Sequence, residues 1–173
     1  MARGLKVPDN CAIICKGGIR PDQVLQLLPG SMDILHPDIY DDIETVTLVA
    51  GTNALNIYKP GKGMPLLDVI EDYEKLIYDI KKLFPNAKLG LFNVLPRVYT
   101  CTETCRRIEI FNTIFELTSK RLQNVVWIHL YSEFLDNLGY LRRDLYGVRG
   151  IHLKPKGKAL MVKSIRKFQS MCK

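Results

Sequence analysis

Several short stretches of this chain hold side chains that could act on a ligand. In "VTLVAGTN" (46–53) an apolar, β-branched run stops at Gly-Thr-Asn. The Asn53 amide could donate a hydrogen bond at the edge of a sheet, or serve as a turn or cap residue. His152 stands in "RGIHLKP" (149–155), just ahead of a helical pattern. An imidazole titrates near neutrality and can carry a proton, or it can be merely solvated. Gly17-Gly18 is either a tight turn or a place where backbone comes close to a ligand. Arg97, Arg149 and Lys154 add cations that could hold an anionic group. Cys101 and Cys105 are four residues apart, a spacing that matches neither a paired CxxC nor a Cys/His zinc pattern. No metal and no cofactor is therefore expected.

These residues need a scaffold, and the hydrophobic pattern supplies one. "CAIICK" (11–16), "TVTLVAG" (45–51), "KLGLFNVLP" (88–96) and "VVWIHLY" (125–131) read as buried strands. Between them lie helical patterns. A short one is expected within 17–30, after Pro21 and ending at Pro29-Gly30. The next starts at Leu66 and repeats at three and four through Ile70, Tyr73, Ile77, Ile80 and Phe84, with acids early and Lys81 and Lys82 late, as the helix dipole favours. Another covers 102–122 with Ile108, Phe111, Ile114, Phe115 and Leu122 inward, and the last runs from Pro155 with Leu160, Met161, Ile165 and Phe168 on one face. Alternating strands and helices imply an α/β class: a three-layer α/β/α sandwich around a parallel sheet. In such sheets ligands bind beyond the carboxyl ends of the strands, which is where these candidate residues fall. With 173 residues the chain is expected to form a single domain, 1–173.

Four blocks of the chain, in order, resemble the SGNH (GDSL-type) hydrolases. "RGIHLKPKGKALMVKSI" (149–165) is similar to that family's Asp-Gly-Ile-His-Leu block, "VTLVAGTNAL" to its Gly-x-Asn block, "KGGIRPDQV" to its glycine block, and "LFNVLPR" to a strand ending in Leu-Pro-Pro-Arg. The resemblance implies a flavodoxin-like fold and a Ser-His mechanism on ester or acetyl groups. By that resemblance His152 is the general base, and Gly18 and Asn53 are oxyanion donors. Arg97, Arg149 and Lys154 remain candidates for binding.

The departures from the family shape the functional expectation. The Gly-Asp-Ser block is absent: Met1 would stand just after its serine, so the first strand is expected to be missing and the chain to contain no nucleophile. Arg149 occupies the place of the aspartate that orients the histidine, and a cation there disfavours an imidazolium. Asp144 is eight residues before His152, close only if the loop bends. Ala54 replaces an aspartate common in the third block, and Ser31 and Ser132 lie in no nucleophile motif. A hydrolase-like domain inactive as it stands is expected, with an ester or acetylated substrate only in a longer form.

The alternative follows from charge. The chain carries +7, but residues 140–173 alone carry +9 and the remainder −2. A catalytically dead branch of the superfamily binds RNA through a basic surface, so RNA or another anionic partner is the second expectation. The oligomeric state is not readable. No run is long enough to span a membrane. No apolar secretory segment follows Met1, making an intracellular (cytoplasmic or nuclear) setting the expectation.

Overall fold

The computed structural model describes residues 20–27, 37–57, 64–98, 100–148 and 150–172. Among these residues three strands form one parallel sheet in the order β1 (Thr45–Leu48), β2 (Lys88–Phe92), β3 (Val125–Ile128). Val46 stands opposite Leu89, and Leu91 opposite Trp127. Three helices of 18 residues each follow the strands: α1 (Leu66–Leu83), α2 (Thr102–Ser119) and α3 (Pro155–Cys172). The strand expected over 11–16 lies outside the described residues.

The layers follow from the two-residue period of β2, whose neighbouring side chains point to opposite faces. Leu89 and Leu91 face one way, into a core with Val69, Tyr73, Leu76, Ile77 and Ile80 of α1 and Ile108, Phe111 and Phe115 of α2. Phe92 faces the other way and packs with Ile128, Met161 and Phe168 of α3. Gly90 belongs to that second face: a Cβ there would stand 2.8 Å from Phe168, so the missing side chain lets α3 lie close to the sheet. This is the expected α/β/α sandwich, with α1 and α2 on one side and α3 on the other. Tyr73, Phe111 and Phe115 form an aromatic triad with centroids 4.5–4.9 Å apart, which ties α1 to α2.

The helix boundaries are close to the expected ones, and the strands are shorter. The strands end at Leu48, Phe92 and Ile128. The segment 17–30 differs more. Its described part holds two single 3-10 turns, Pro21–Gln23 and Leu25–Leu27, in place of one short helix. A Met64 carbonyl held by Arg107 of α2, and an Arg20 guanidinium touching Met64 Sδ at 3.5 Å, join this region to the helices.

Candidate functional site

Beyond the carboxyl ends of β1 and β2 the described residues build a rim from three loops. The first begins at Gly51, which has φ +107° and lies where a Cβ would press on Val94 Cγ2 at 3.0 Å and on the Phe111 ring. Only glycine fits such a conformation at such close range. The chain then makes a tight turn, with Leu55 N donating to Gly51 O at 3.1 Å, and Asn53 rides on it, half-buried. The far end is fixed by Ile57 N donating to the hydroxyl of Thr104, a fully buried residue of α2. That hydroxyl also lies 3.3 Å from Cys101 Sγ and holds the exposed Cys101 thiol below its ordinary pKa.

The second loop, 93–98, is extended and buried, yet it has left the sheet ladder. Two asparagine amides hold it. Asn112 of α2 accepts from Val94 N at 2.7 Å and donates to Val94 O at 2.9 Å, imitating a neighbouring strand. Asn93 Oδ1 accepts from Leu130 N and Tyr131 N, which fixes the end of β3 beside it. Arg97 closes this loop. It is buried, and its Nη1 donates to Thr52 O at 3.1 Å, bracing the Asn53 turn.

The third loop carries His152. Tyr146 pairs with Leu153 in an antiparallel bridge, Gly147 N donates to His152 O at 2.7 Å, and Gly150 N donates to Gly147 O at 2.8 Å. The loop is pinned to the second one twice. Val98 N donates to Gly150 O at 3.1 Å, and the buried Tyr146 hydroxyl donates to Pro96 O at 2.5 Å. Gly150, at φ +63°, sits so close to Val98 that a Cβ would fall 2.4 Å from Val98 Cβ.

The loops of Asn53, Arg97 and His152 are thus joined to one another, with Arg97-Val98 as the link. His152 itself is exposed, and its imidazole has no hydrogen-bond partner among the described residues. Asp144 makes no hydrogen bond or ion pair with it. Its carboxylate accepts from Lys156 Nζ at 2.6 Å, with Arg142 at 3.8 Å, and the Lys156 hydrogen bond holds its pKa below the usual range. Lys154 is exposed at the start of α3, its backbone N bonded to Leu145 O. Gly18 and Arg149 lie outside the described residues. Sequence reasoning misses the residues that position the rim: Asn93, Asn112, Thr104 and Tyr146. The one available signal is a polar Asn112 inside the apolar run "IFNTIF".

No protein-family model and no curated protein sequence matches the chain. Solved structures do. A GDSL-like lipase from Bacteroides thetaiotaomicron superposes with a TM-score of 0.67 at 17% identity, covering 90% of this chain and 73% of that one. A carbohydrate esterase family 3 structure from Talaromyces cellulolyticus gives 0.63 at 16%, covering 96% and 78%. The fold is that of the SGNH hydrolases. The SGNH-type fold is also similar to the C-terminal domain of Drosophila Oskar, with a TM-score of 0.60 at 18% identity over 87% of this chain and 69% of that one. Among the described residues, no helix of this SGNH-fold chain is long and apolar enough to cross a membrane.

Proposed function

We propose that this chain is a hydrolase-related domain that does not turn over esters as it stands. One observation carries the reading: His152, the residue matching the family's base, is exposed and has neither a carboxylate nor a serine hydroxyl bonded to it among the described residues. A histidine acts as base when a nucleophile donates to one ring nitrogen and an acid orients the other. The acid nearest in sequence is engaged by Lys156 instead. Asn53 and Gly18 would be oxyanion donors, and turnover of an ester or acetylated substrate would need a serine hydroxyl at His152, which none of the described residues supplies. The test is p-nitrophenyl acetate with the wild-type chain and with His152→Ala. Equal, background rates are expected; hydrolysis that disappears in the variant overturns the reading.

A second reading concerns the partner, and α3 favours it. This helix contains no acidic residue. Lys163, Arg166 and Lys167 are exposed, spaced three and four apart on one face, and have no ion-pair partner among the described residues. Such a surface is suited to the RNA backbone, whose phosphates release counterions when neutralised. Filter binding of a single-stranded RNA across a salt series tests it. Affinity that falls steeply with salt is expected, and affinity independent of salt contradicts a phosphate-based mechanism.

A further inference from the structure

Exposed apolar side chains scattered singly are ordinary on a protein surface; several carried together on a rigid segment are not. The three most exposed large hydrophobic residues among those described are Val148 (96%), Leu138 (80%) and Tyr140 (69%), all between positions 138 and 148. Leu138 and Tyr140 ride on one hairpin. Leu135 and Leu141 pair across it in an antiparallel bridge, and Asp136 N donates to Tyr140 O at 2.7 Å. Asp136 Oδ1 accepts from both Leu138 N and Tyr140 N at 2.9 Å, and Gly139 turns the chain at φ +81°. The tip is thus fixed by hydrogen bonds of its backbone while its apolar side chains stay in water. No other ring stacks on Tyr140 among the described residues.

The stem is anchored on the α3 side of the sheet. Leu141 packs against the cluster in which Phe134 meets Met161 and Phe168 of α3. Arg142 follows directly. Its N donates to Phe134 O at 2.9 Å and its Nη1 to Glu133 O at 3.1 Å, which holds the guanidinium beside the hairpin. An open hollow there is lined by Leu135, Asp136, Asn137, Leu138 and Arg142. An exposed ring, an apolar neighbour, an amide and a cation form the set that receives an unpaired base of a nucleic acid. A lipid surface is a poorer occupant, because the Asp136 carboxylate is bonded into the tip and would be desolvated along with it.

We infer that the 135–142 hairpin binds an unpaired nucleobase of single-stranded RNA, stacked on the exposed ring of Tyr140. This rests on the RNA reading of α3 and adds a contact that is not electrostatic. The charge balance favours that partner: residues 140–173 carry +9, and the hairpin leads into them. The cations of α3 meet phosphates, while the hairpin meets a base. Every base has a face that can stack, so the hairpin distinguishes unpaired from paired strands and not one sequence from another. None of its residues lies in the blocks that resemble the SGNH hydrolases.

The experiment compares two strands of equal length and equal phosphate number, oligoadenylate and its abasic counterpart, by filter binding to the whole chain. Tyr140→Ala removes an exposed ring and no core contact, so the variant folds. Its affinity for oligoadenylate should fall about tenfold, with an unchanged salt slope, since stacking releases no counterions. Its affinity for the abasic strand should stay at the wild-type value, and Tyr140→Phe, which keeps the ring, should bind oligoadenylate as the wild type does. Undiminished binding of oligoadenylate by Tyr140→Ala overturns the inference, as does an equal loss on the abasic strand. If glutamate at Lys163, Arg166 and Lys167 abolishes binding while Tyr140→Ala does not, the hairpin site falls and the RNA reading stands. If neither strand binds the wild-type chain, the RNA reading falls and the site with it. Two further arms use no RNA. Co-sedimentation with phosphatidylserine-containing vesicles that is lost in Tyr140→Ala assigns the tip to lipid and overturns the inference. Self-association that is lost in Leu138→Ser assigns it to a second copy of the chain, with the same consequence.

Discussion

Tyr73 and Tyr146 each bury a phenol, and of the two only Tyr146 has a partner for its hydroxyl among the described residues. Tyr146 donates to Pro96 O and so ties the His152 loop to the loop of Arg97. Tyr73 is fully buried in the aromatic triad, with its hydroxyl unsatisfied there. The same conservative change should therefore act in opposite directions. Tyr73→Phe removes an unsatisfied hydroxyl and keeps the ring, so urea unfolding should show a gain of about 1 kcal/mol. Tyr146→Phe leaves the Pro96 carbonyl without its donor and should cost about 1–3 kcal/mol. Burial raises both pKa values above the ordinary tyrosine value, with the Tyr131 charge adding a smaller push at Tyr146. The unfolded chain ionises these phenols near about pH 10 while the native chain keeps them protonated. Their contribution is thus whole below that pH and is lost above it. A urea midpoint that falls above about pH 10, with a shallower fall in Tyr73→Phe, is the expected outcome; an unchanged slope in that variant would contradict the assignment.

At the scale of elements, the loop after β2 depends on a side chain of α2. Asn112 supplies both hydrogen bonds of Val94, whose backbone would otherwise be buried without partners. Asn112→Leu should cost about 2–4 kcal/mol, since two buried backbone groups are left unsatisfied at once. The loss should be visible locally as faster hydrogen exchange of the Gly51–Asn56 turn, because Val94 packs against Gly51. If exchange there is unchanged while global stability falls, Asn112 supports the core and not the rim. This clamp also explains what the sequence can and cannot disclose. Helices α1, α2 and α3 are legible because their apolar spacing is a local property. "KLGLFNVLP" reads as one strand to 96 because it is apolar throughout, and it is indeed buried. From residue 93 onward, however, its hydrogen bonds go to Ile128 O and to an asparagine 18 positions ahead. No local pattern announces a partner of that kind. For the candidate site, Asn53 and His152 stand out through the motifs around them. The burial of Arg97, and the diversion of Asp144 to Lys156, are products of tertiary packing that spacing alone does not reveal.

Across the whole molecule the decisive quantity is where charge is left uncompensated. Acids and bases are mixed along α1 and α2, with Glu116 of α2 engaging Lys120 and lying 3.8 Å from His129. On α3, among the described residues, the lysine engaged in an ion pair is Lys156, held by Asp144, while Lys163, Arg166 and Lys167 project away from the buried Met161, Ser164 and Phe168. Reversing these three charges to glutamate should therefore leave the fold within about 0.5 kcal/mol per site, because none of them packs in the core. Its effect on RNA should be large and of a particular kind. Each phosphate neutralised on a single strand contributes about 0.7 to the slope of log affinity against log salt. Without these cations the slope should flatten by about 2 as binding weakens. His152→Ala, in a different loop, should leave both slope and affinity unchanged. A triple variant that binds more weakly with an unaltered slope would show that Lys163, Arg166 and Lys167 do not meet phosphate. A variant that binds as tightly as the wild type would remove α3 from the interface altogether.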